Sequence, residues 1–598
     1  MRATFLALLA PLALAAADIS PQAYLDDVRY LASPELKGRA TGSPELEKAA
    51  AYIAGKFQAA GVKPADGKSY LQAFPVITDA RMGSANRLRA TDAGRGEEIK
   101  PGSGYVPFSF SSSGKLSAGV VFAGYGITAT ELHYDDYAGL DVTGKIVVIL
   151  RHEPQENDDK SVFDGKSLTQ HSNYAIKASN AKMHGARGVI LINDTYTHAD
   201  SKDDLAAFGR ASGPTDSGIF FVQVKAASAE AWMKAEGRDL RKIMQGIDQD
   251  LKPRSFALAK LTMDLEVEIR HEAKTVHNVA AYLAGETAEH IIIGAHYDHL
   301  GMGDEHSLAP SEVGKAIHFG ADDNASGTAG VIELARWFAT QPKPKRGILF
   351  ITFAGEELGL FGSSYYAQHP ILPLENAVAM LNMDMIGRIR EGKVYVNGAG
   401  TGSTFSAILH QVPIPAGLRP DFSENLGYGG SDHISFTPKK VPVMFFFSGL
   451  HGDYHKPSDT WDKINSKDAA ALLGYVGELA GRIAGDAARP EFQRPAEREP
   501  TSGGGGGGSG YGPDFGSVPD FDEPPKGVRF ADLRPGSPAD KAGLKPGDIL
   551  IEFDGKEIGN LYDFTYALRS HKAGDLVLVK VLRASQTIEA KVLLTERR

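Results

Sequence analysis

The sequence predicts an α/β protein whose largest domain contains a mostly parallel sheet with helices on both faces. Between about residues 270 and 487, apolar runs typical of buried strands alternate with segments of helical periodicity. Residues 106–254 and 527–598 show a different pattern, with short runs typical of β-strands and few predicted helices. Because 598 residues exceed what one hydrophobic core holds, we expect these two β-rich regions to be separate, smaller domains.

The predicted elements of the large domain follow in chain order. Two helical patterns occupy residues 22–62, and the second repeats apolar residues at helix spacing, namely Leu46, Ala49, Ala50, Ile53, Phe57 and Ala60. The predicted strands are VHNVAAYLAG, IIIGAHYD, GILFITF, AVAMLNMDM and VPVMFFFS, and the predicted helices lie at 326–340, 403–411 and 466–486. Strands that alternate with helices in this way favour parallel pairing.

Composition excludes several classes of function. The formal net charge is −10, so the chain lacks the basic surface of a nucleic-acid-binding protein. It contains no cysteine, which excludes disulfides, thiolate metal ligands, cysteine nucleophiles and a lipid-modified cysteine. Any zinc in this protein must therefore be held by nitrogen and oxygen ligands.

The first 17 residues, MRATFLALLAPLALAAA, have the pattern of a secretory signal peptide. The alternative, a membrane anchor, is less favoured because the apolar run is short and ends in alanines. No later stretch reaches the roughly 18 apolar residues of a spanning helix. We therefore expect cleavage before Asp18 and an exported protein without a membrane span, either periplasmic or secreted; the lack of disulfides favours a bacterial periplasm.

Residues 488–526 are predicted to be a flexible linker, since they are rich in glycine and proline and contain six glycines at 503–508. The domain that follows, at 527–598, is accordingly expected to be a tethered module that moves independently of the large domain.

Carboxylate and imidazole side chains follow successive apolar runs of the large domain. Ligand sites in open α/β sheets form at the carboxyl ends of parallel strands, so these side chains are expected to meet. Each one taken singly could be a helix cap or part of a solvated turn, but together they are typical of a metal hydrolase site. The set comprises His296, Asp322, Glu356, Glu357, Asp384 and His455.

Local patterns suggest roles for some of them. His296 and Asp298 point to the same side of a strand, and a metal-bound imidazole usually donates its other N–H to a carboxylate. Glu356 and Glu357 leave a buried strand in different directions, so one can bind metal while the other acts as general base. A buried Asp384 must be compensated, either by Arg388 or by a metal.

Six motifs in this order resemble one family: GAHYDHLG, GADDNASG, FAGEELGLFGS, NMDMIG, GGSDHISF and YHKPSDT. They are similar to the co-catalytic di-zinc aminopeptidases, metallopeptidase family 28, which also includes glutaminyl cyclase and the non-enzymatic transferrin receptor. The resemblance covers residues 270–487 and the helices at 22–62. It implies a zinc exopeptidase core, two Zn²⁺ ions per chain, and removal of the N-terminal residue from peptides with free N-termini by a metal-activated water.

The resemblance also implies a ligand set. Asp322 would bridge the two zinc ions, with His296 and Asp384 completing one ion and Glu357 and His455 the other.

Further roles are implied by the same motifs. Glu356 would be the general base and Asp298 would orient the first histidine ligand. The family's cis peptide would fall at Asp322–Asp323. Tyr428, in LGYGGSDH, would polarise the oxyanion, with His433 as the alternative donor.

The two β-rich regions resemble known modules. Residues 106–254 resemble a protease-associated domain, which would make the peptidase domain discontinuous, at 18–105 and 255–487. Residues 527–598 resemble a PDZ domain, with SPADKAGLKPGD as the signature from Ser537 to Asp548. A C-terminal peptide ligand would then lie beside the segment from Gly527 to Phe530.

Two alternatives on the same fold stay open. A glutaminyl cyclase-like transferase would use one zinc, and the presence of both His296 and Asp384 disfavours it. A non-catalytic receptor is disfavoured by the complete ligand set and by Glu356. A carboxypeptidase would need a basic cluster for the substrate carboxylate, and none stands beside the motifs.

Overall fold

The computed structural model describes residues 18–596 apart from 93, 167, 199–201, 207, 210–213, 305, 424–429, 495–511, 521–523 and 525. The predicted signal peptide, Tyr428 and the hexaglycine run lie outside the described residues. Within the described ranges, no helix is long and apolar enough to cross a membrane. The chain divides into two compact units, Met1–Val76 with Thr275–Glu497 and Ile77–Lys274 with Arg498–Arg598.

The first unit is organised around four parallel, buried strands: β1 (His290–His296), β2 (Gly347–Phe353), β3 (Ala377–Met383) and β4 (Val443–Phe447). Their order in the sheet is β2-β1-β3-β4. The nine-stranded sheet is completed by Lys63–Pro64, Leu71–Met82, Ile269–Leu283, Lys393–Asn397 and Arg419–Asp421. Antiparallel pairing is confined to the flanks of the parallel centre.

Helices cover both faces of this sheet, which confirms the predicted fold class. Ile291 and Ile293 of β1 belong to a core cluster that includes Leu46 and Leu479 from helices, whereas Ile292 points to a second cluster with Tyr366. The helices of the unit are Pro21–Leu31, Pro44–Ala59, Gly327–Phe338, Phe361–Gln368, Phe405–Gln411 and Ser466–Gly485.

The second helix illustrates how local sequence specifies an element. Ser43 caps its first turn by accepting a hydrogen bond from the amide of Leu46 at 3.1 Å, and Pro44 occupies the first helical position. The predicted apolar face is confirmed, because Leu46, Ala49, Ala50, Ile53 and Phe57 are all fully buried. The predicted helix at 466–486 is also confirmed, as Ser466–Gly485.

In the second unit, an eight-stranded sheet contains Arg87–Asp92, Arg95–Ile99, Tyr105–Pro107, Gly114–Phe122, Ile146–Leu150, Gly188–Ile192, Phe220–Val224 and Phe256–Val267. Its helices are Tyr174–Met183, Ala226–Ala235 and Leu240–Asp250, and a small ladder joins Thr128–Ala129 to Tyr134–Asp135. This inserted domain is larger than the predicted 106–254. Arg87–Asp92 and Phe256–Val267 pair with each other inside its sheet. Pairing between strands so distant in sequence leaves no local signal.

The C-terminal domain contains the strands Ser517–Pro519, Val528–Leu533, Ile549–Phe553, Lys556–Glu557, Leu576–Arg583 and Gln586–Leu593 and the helices Pro538–Lys541 and Leu561–Arg569. It begins before residue 527, because Phe515 is part of its core and the amide of Asp514 donates to Thr595 O at 2.8 Å. The predicted linker, residues 488–526, also begins later than expected, because Arg489 still forms an ion pair with Glu289 of the first unit at 2.7 Å.

The predicted peptide groove beside Gly527–Phe530 needs correction. The strand Val528–Leu533 is paired on both sides, with Ser517–Pro519 and with Ile549–Phe553. A strand whose two edges are occupied cannot accept a further strand. The edge of the sheet next to this strand is Ser517–Pro519, whose residues composition had assigned to the linker.

The C-terminal domain packs on the inserted domain and is not an independent module. The buried carboxylate of Asp563 accepts a hydrogen bond from Ser179 Oγ at 2.8 Å and pairs with Lys182 Nζ at 2.7 Å. The hydroxyl of Tyr566 donates to Asn180 Oδ1. A glycine-rich linker sets how far a domain can reach, but it does not determine whether the domain surface finds a complementary partner.

Candidate metal centre

The candidate site lies at the carboxyl ends of the parallel strands, as predicted. His296 is the last residue of β1, and Asp384 directly follows β3. Glu356 and Glu357 come shortly after β2, and His455 lies on the loop that follows β4. The parallel register of these strands brings residues that are far apart in sequence to one edge of the sheet.

One carboxylate, that of Asp323, lies between two imidazoles. Its Oδ1 is 3.4 Å from His296 Nε2, and its Oδ2 is 3.2 Å from His455 Nε2. His296 Nε2 is also 3.3 Å from Asp384 Oδ2, and His455 Nε2 is 3.1 Å from Glu357 Oε2. The arrangement therefore consists of two groups of ligand atoms that share Asp323.

This corrects the assignment of Asp322 as the shared carboxylate. Asp322 Oδ1 accepts a hydrogen bond from the amide of Gly387 at 2.6 Å, and its Oδ2 is 3.1 Å from His451 Nε2. The cis peptide bond is likewise one residue later than predicted, at Asp323–Asn324. Adjacent side chains in a tight turn point in different directions, so the pair of aspartates could not be resolved from sequence.

Backbone hydrogen bonds hold the turn that presents Asp323. Asp459 Oδ2 accepts from the amides of Asp322 and Asp323, at 2.9 and 3.1 Å. Gly320 has a φ of +58°, and a Cβ atom there would lie 2.2 Å from Asp323 O, so the position admits only glycine. The guanidinium of the buried Arg39 donates to the Gly320 carbonyl at 2.6 Å.

His299 is a further histidine of the centre that the sequence reasoning missed. Its Nδ1 lies 2.6 Å from Glu357 Oε1 and 3.9 Å from Asp323 Oδ2. The signal was present in the motif HYDH, where a second histidine follows His296 by three positions.

The residues present fit a pair of divalent cations. His296 Nε2, His455 Nε2 and Asp384 Oδ1 are buried and have no hydrogen-bond partner among the described residues. Leaving buried polar atoms unpaired is costly, and a shared cation removes that cost. The ligand atoms of His296, Asp323 and Asp384 lie within 4.8 Å of one another, and so do those of His299, Asp323 and Glu357. Nitrogen and carboxylate oxygen are suitable donors for zinc.

Comparison with known families decides the type of domain. Residues 278–479 match the model of Peptidase family M28. We call residues 278–479 the M28 domain. Residues 85–232 match the PA domain, and residues 512–594 match the PDZ domain. Both matches begin earlier than predicted, in agreement with the strands described above.

Several known proteins are similar to this chain. A probable leucine aminopeptidase of Arthroderma otae is 29% identical over 227 residues, which is 36% of this chain and 60% of that protein. Aminopeptidase YwaD of Bacillus subtilis is 26% identical over 427 residues, covering 69% of this chain and 75% of the relative. The solved aminopeptidase from Aneurinibacillus sp. strain AM-1 is 25% identical, with a TM-score of 0.45 over 81% of this chain and 98% of that one.

Asp298 lies beside two candidate residues of the M28 domain, His296 and Glu356. Its Oδ1 lies 3.7 Å from His296 Nδ1 and accepts a hydrogen bond from the amide of Glu356 at 3.1 Å. Its Oδ2 accepts from Thr41 Oγ1 at 2.7 Å. The buried carboxylate of Asp298 is thus hydrogen-bonded to the start of the loop that carries the two glutamates, whereas His296 Nδ1 lies 3.3 Å from the Asp298 backbone carbonyl.

The two adjacent glutamates of the M28 domain differ electrostatically. Burial raises the pKa of Glu356 well above its usual range. Burial also disfavours charge on Glu357, but contacts with His299 and His455 outweigh it and lower the pKa of Glu357 to about 2. Burial likewise opposes charge on His455, yet its close contacts with the carboxylates of Asp323 and Glu357 raise the pKa of His455 to about 11.

Two other candidates of the M28 domain contact residues outside the ligand groups. Arg388 pairs with Asp453 at 3.1 Å, so it does not compensate Asp384. His433 is fully buried and stacks on Phe445, with ring centroids 4.4 Å apart. Tyr428 lies outside the described residues.

Proposed function

We propose that this protein is a zinc-dependent aminopeptidase that hydrolyses the N-terminal residue from peptides. The observation that carries the proposal is the carboxylate of Asp323, shared between two groups of imidazole and carboxylate ligands within an M28 domain. The names of the relatives support the substrate class, since the proteins from A. otae and B. subtilis are named as aminopeptidases. This chain spans 60% of the first and 75% of the second.

Five residues are proposed to hold two ions. Asp323 would bind both, His296 and Asp384 would complete one set, and Glu357 and His455 would complete the other. When bound, two divalent ions would supply Lewis acidity toward the peptide carbonyl and toward a water molecule.

Glu356 is the proposed general base. Its Oε2 lies 3.8 Å from His296 Nε2, next to the ligand groups. Its carboxylate would accept a proton from the attacking water and then deliver that proton to the leaving amine. Asp298 would keep Glu356 in place through the hydrogen bond from the Glu356 amide.

Tyr428 keeps its proposed role as the donor that stabilises the oxyanion. Replacing Tyr428 by Phe should lower kcat more than it raises KM, because such a contact strengthens in the transition state. Steady-state kinetics on an aminoacyl reporter measures both constants. A change confined to KM would remove Tyr428 from this role.

The rival functions differ in how many ligand groups they need. A cyclase-like transferase would use one ion, and the second group around Glu357 and His455 favours the peptidase. A non-catalytic receptor would need no base, and Glu356 stands beside the ligands.

The decisive experiment combines substrate choice with metal analysis. The protein should cleave aminoacyl fluorogenic reporters and should not cleave the same reporters after N-acetylation. Asp384→Asn and Glu357→Gln should each lose bound zinc together with activity. Equal cleavage of free and acetylated reporters would contradict an aminopeptidase. Full activity after loss of one of the two proposed ions would instead favour the cyclase-like transferase, which would use a single zinc.

Export and peptide capture complete the proposal. The pattern of residues 1–17 supports cleavage before Asp18, which N-terminal sequencing of the mature protein would reveal.

The edge strand Ser517–Pro519 is proposed to receive the C-terminal peptide ligand by strand addition. Fluorescence anisotropy with a peptide and its C-terminally amidated form tests this, because only the free carboxylate should bind.

A further inference from the structure

A second group of imidazole and carboxylate side chains lies in the inserted domain. The strands Ile146–Leu150 and Gly188–Ile192 are parallel neighbours in its sheet. His152 follows the first strand and His198 follows the second, each beyond the carboxyl end. Glu156 lies one short loop after His152. The topology that assembles the M28 centre is thus repeated in another sheet of the chain.

The three side chains converge on one point. His152 Nδ1 and His198 Nε2 each lie 2.8 Å from the same atom, Glu156 Oε2. The two nitrogens are 3.0 Å apart, and the ring planes are nearly perpendicular. We name this set the inserted-domain triad.

With Glu156 ionised, no protonation state of the two imidazoles makes all three contacts favourable. If both nitrogens carry hydrogens toward Glu156, those two hydrogens crowd each other across 3.0 Å. If one nitrogen is unprotonated, its lone pair faces the carboxylate oxygen at 2.8 Å. A cation among the three atoms removes the conflict, because all three then present lone pairs to it.

Hydrogen bonds to Asp248 fix the backbone next to Glu156 of the triad. The amide of Gln155 donates to Asp248 Oδ1 at 2.7 Å, and the Gln155 side chain donates to Asp248 O at 2.9 Å. The triad side chains are 19%, 16% and 35% exposed for His152, Glu156 and His198. Solvent can therefore reach the point of convergence and supply further ligands.

We propose that His152, Glu156 and His198 bind one divalent transition-metal ion of the Zn²⁺ type, separate from the ions of the M28 domain. Two imidazole nitrogens and one carboxylate oxygen suit Zn²⁺ and Co²⁺, whereas Ca²⁺ and Mg²⁺ prefer oxygen ligands alone. The ion joins the segments that follow two neighbouring strands, so it stabilises this end of the inserted domain.

The test measures bound zinc in the full-length protein and in variants, after dialysis against the same buffered Zn²⁺ concentration. His152→Ala and Glu156→Gln should each hold one ion fewer than the wild type, with hydrolysis of aminoacyl reporters unchanged. Exposed His133, in the same domain, gives the matched control His133→Ala, which should keep every ion. Glu156→Gln preserves the side-chain shape, so it remains informative if His152→Ala fails to fold.

Equal zinc content in the wild type and the folded triad variants would overturn the proposal. The wild type and the triad variants have the same M28 centre, so a difference in their zinc content reports on the triad alone. This test therefore does not depend on whether the proposed peptidase activity is correct. Loss of activity without loss of zinc would also count against it, since the triad would then act on the M28 domain by another route.

Discussion

The M28 centre and the inserted-domain triad are built by the same topology but differ in burial. Both stand at the carboxyl ends of parallel strands. In the M28 centre the side chains of His296 and Asp323 are 1% and 5% exposed, whereas those of His152 and His198 are 19% and 35% exposed. Burial in the first case strengthens every electrostatic interaction and makes unpaired ligands costly.

A second difference concerns the groups beside the ligands. The M28 centre contains Glu356, a carboxyl adjacent to the ligand groups but outside them. In the inserted domain, the carboxylate of Glu153, three residues before Glu156, instead accepts hydrogen bonds from the amide and the hydroxyl of Thr169. Strand ends can therefore assemble a candidate metal site in either domain, but hydrolysis also requires an acid–base group that is not a ligand.

The largest expected effect comes from the shared carboxylate. Asp323→Asn should release zinc from the M28 centre and reduce hydrolysis of aminoacyl reporters to background, because both ligand groups depend on this residue. Asp322→Asn is the matched control, since the neighbouring carboxylate is equally buried.

Asp322→Asn should keep its zinc and lose about 1–3 kcal/mol of unfolding free energy, because its contact with the Gly387 amide is weakened. Metal analysis and thermal unfolding measure the two outcomes. The opposite pattern, with zinc lost only from Asp322→Asn, would restore the prediction made from sequence.

The next effect separates base from ligand. Glu356→Gln should reduce kcat by roughly 10²–10⁴-fold with zinc still bound, which is the usual contribution of a positioned general base. Glu357→Gln should lose zinc, because Glu357 contacts His455 at 3.1 Å. Single-turnover kinetics with parallel metal analysis distinguishes them. Near-normal turnover in Glu356→Gln would show that another group moves the proton.

Stepwise chelation tests whether the difference in burial between the two sites determines the order in which they lose zinc. When a chelator is added gradually to the zinc-loaded protein, the first ion lost should come from the partly exposed triad, while peptidase activity is retained. Activity should fall only as the buried ions of the M28 centre are removed. A protein whose activity declines in step with the first ion released would contradict this order. His152→Ala should lack the early, silent phase.

The smallest effect on activity is expected at the contact between the C-terminal and inserted domains. Asp563→Ala leaves Lys182 unpaired, which should cost about 3–5 kcal/mol, as for other buried ion pairs. Hydrogen exchange in the helix Tyr174–Met183 should accelerate, while hydrolysis of short reporters stays within about twofold. Asp554→Ala removes an exposed pair with His571 and should cost at most about 1 kcal/mol. Unchanged exchange in Asp563→Ala would mean that this contact does not hold the domain.

The sequence by itself determined the strand ends of the M28 domain and predicted most of its proposed ligands. Apolar runs locate β1–β4, and the side chain at each carboxyl end follows from counting residues, as for His296 and Asp384. The second helix was equally predictable, because capping at Ser43 and a periodic apolar face act within a few residues. These features depend on local geometry, which sequence specifies directly.

Tertiary structure decided what depends on the direction of a side chain or on distant pairing. Asp322 and Asp323 are adjacent in one turn, and contacts with distant residues orient that turn, among them the hydrogen bonds from both amides to Asp459 and from the Gly387 amide to Asp322. The inserted-domain triad brings His152 to His198 through parallel strands, and the packing of Asp563 joins two domains. Such contacts arise from surfaces that meet only after folding, so no local pattern in the chain records them.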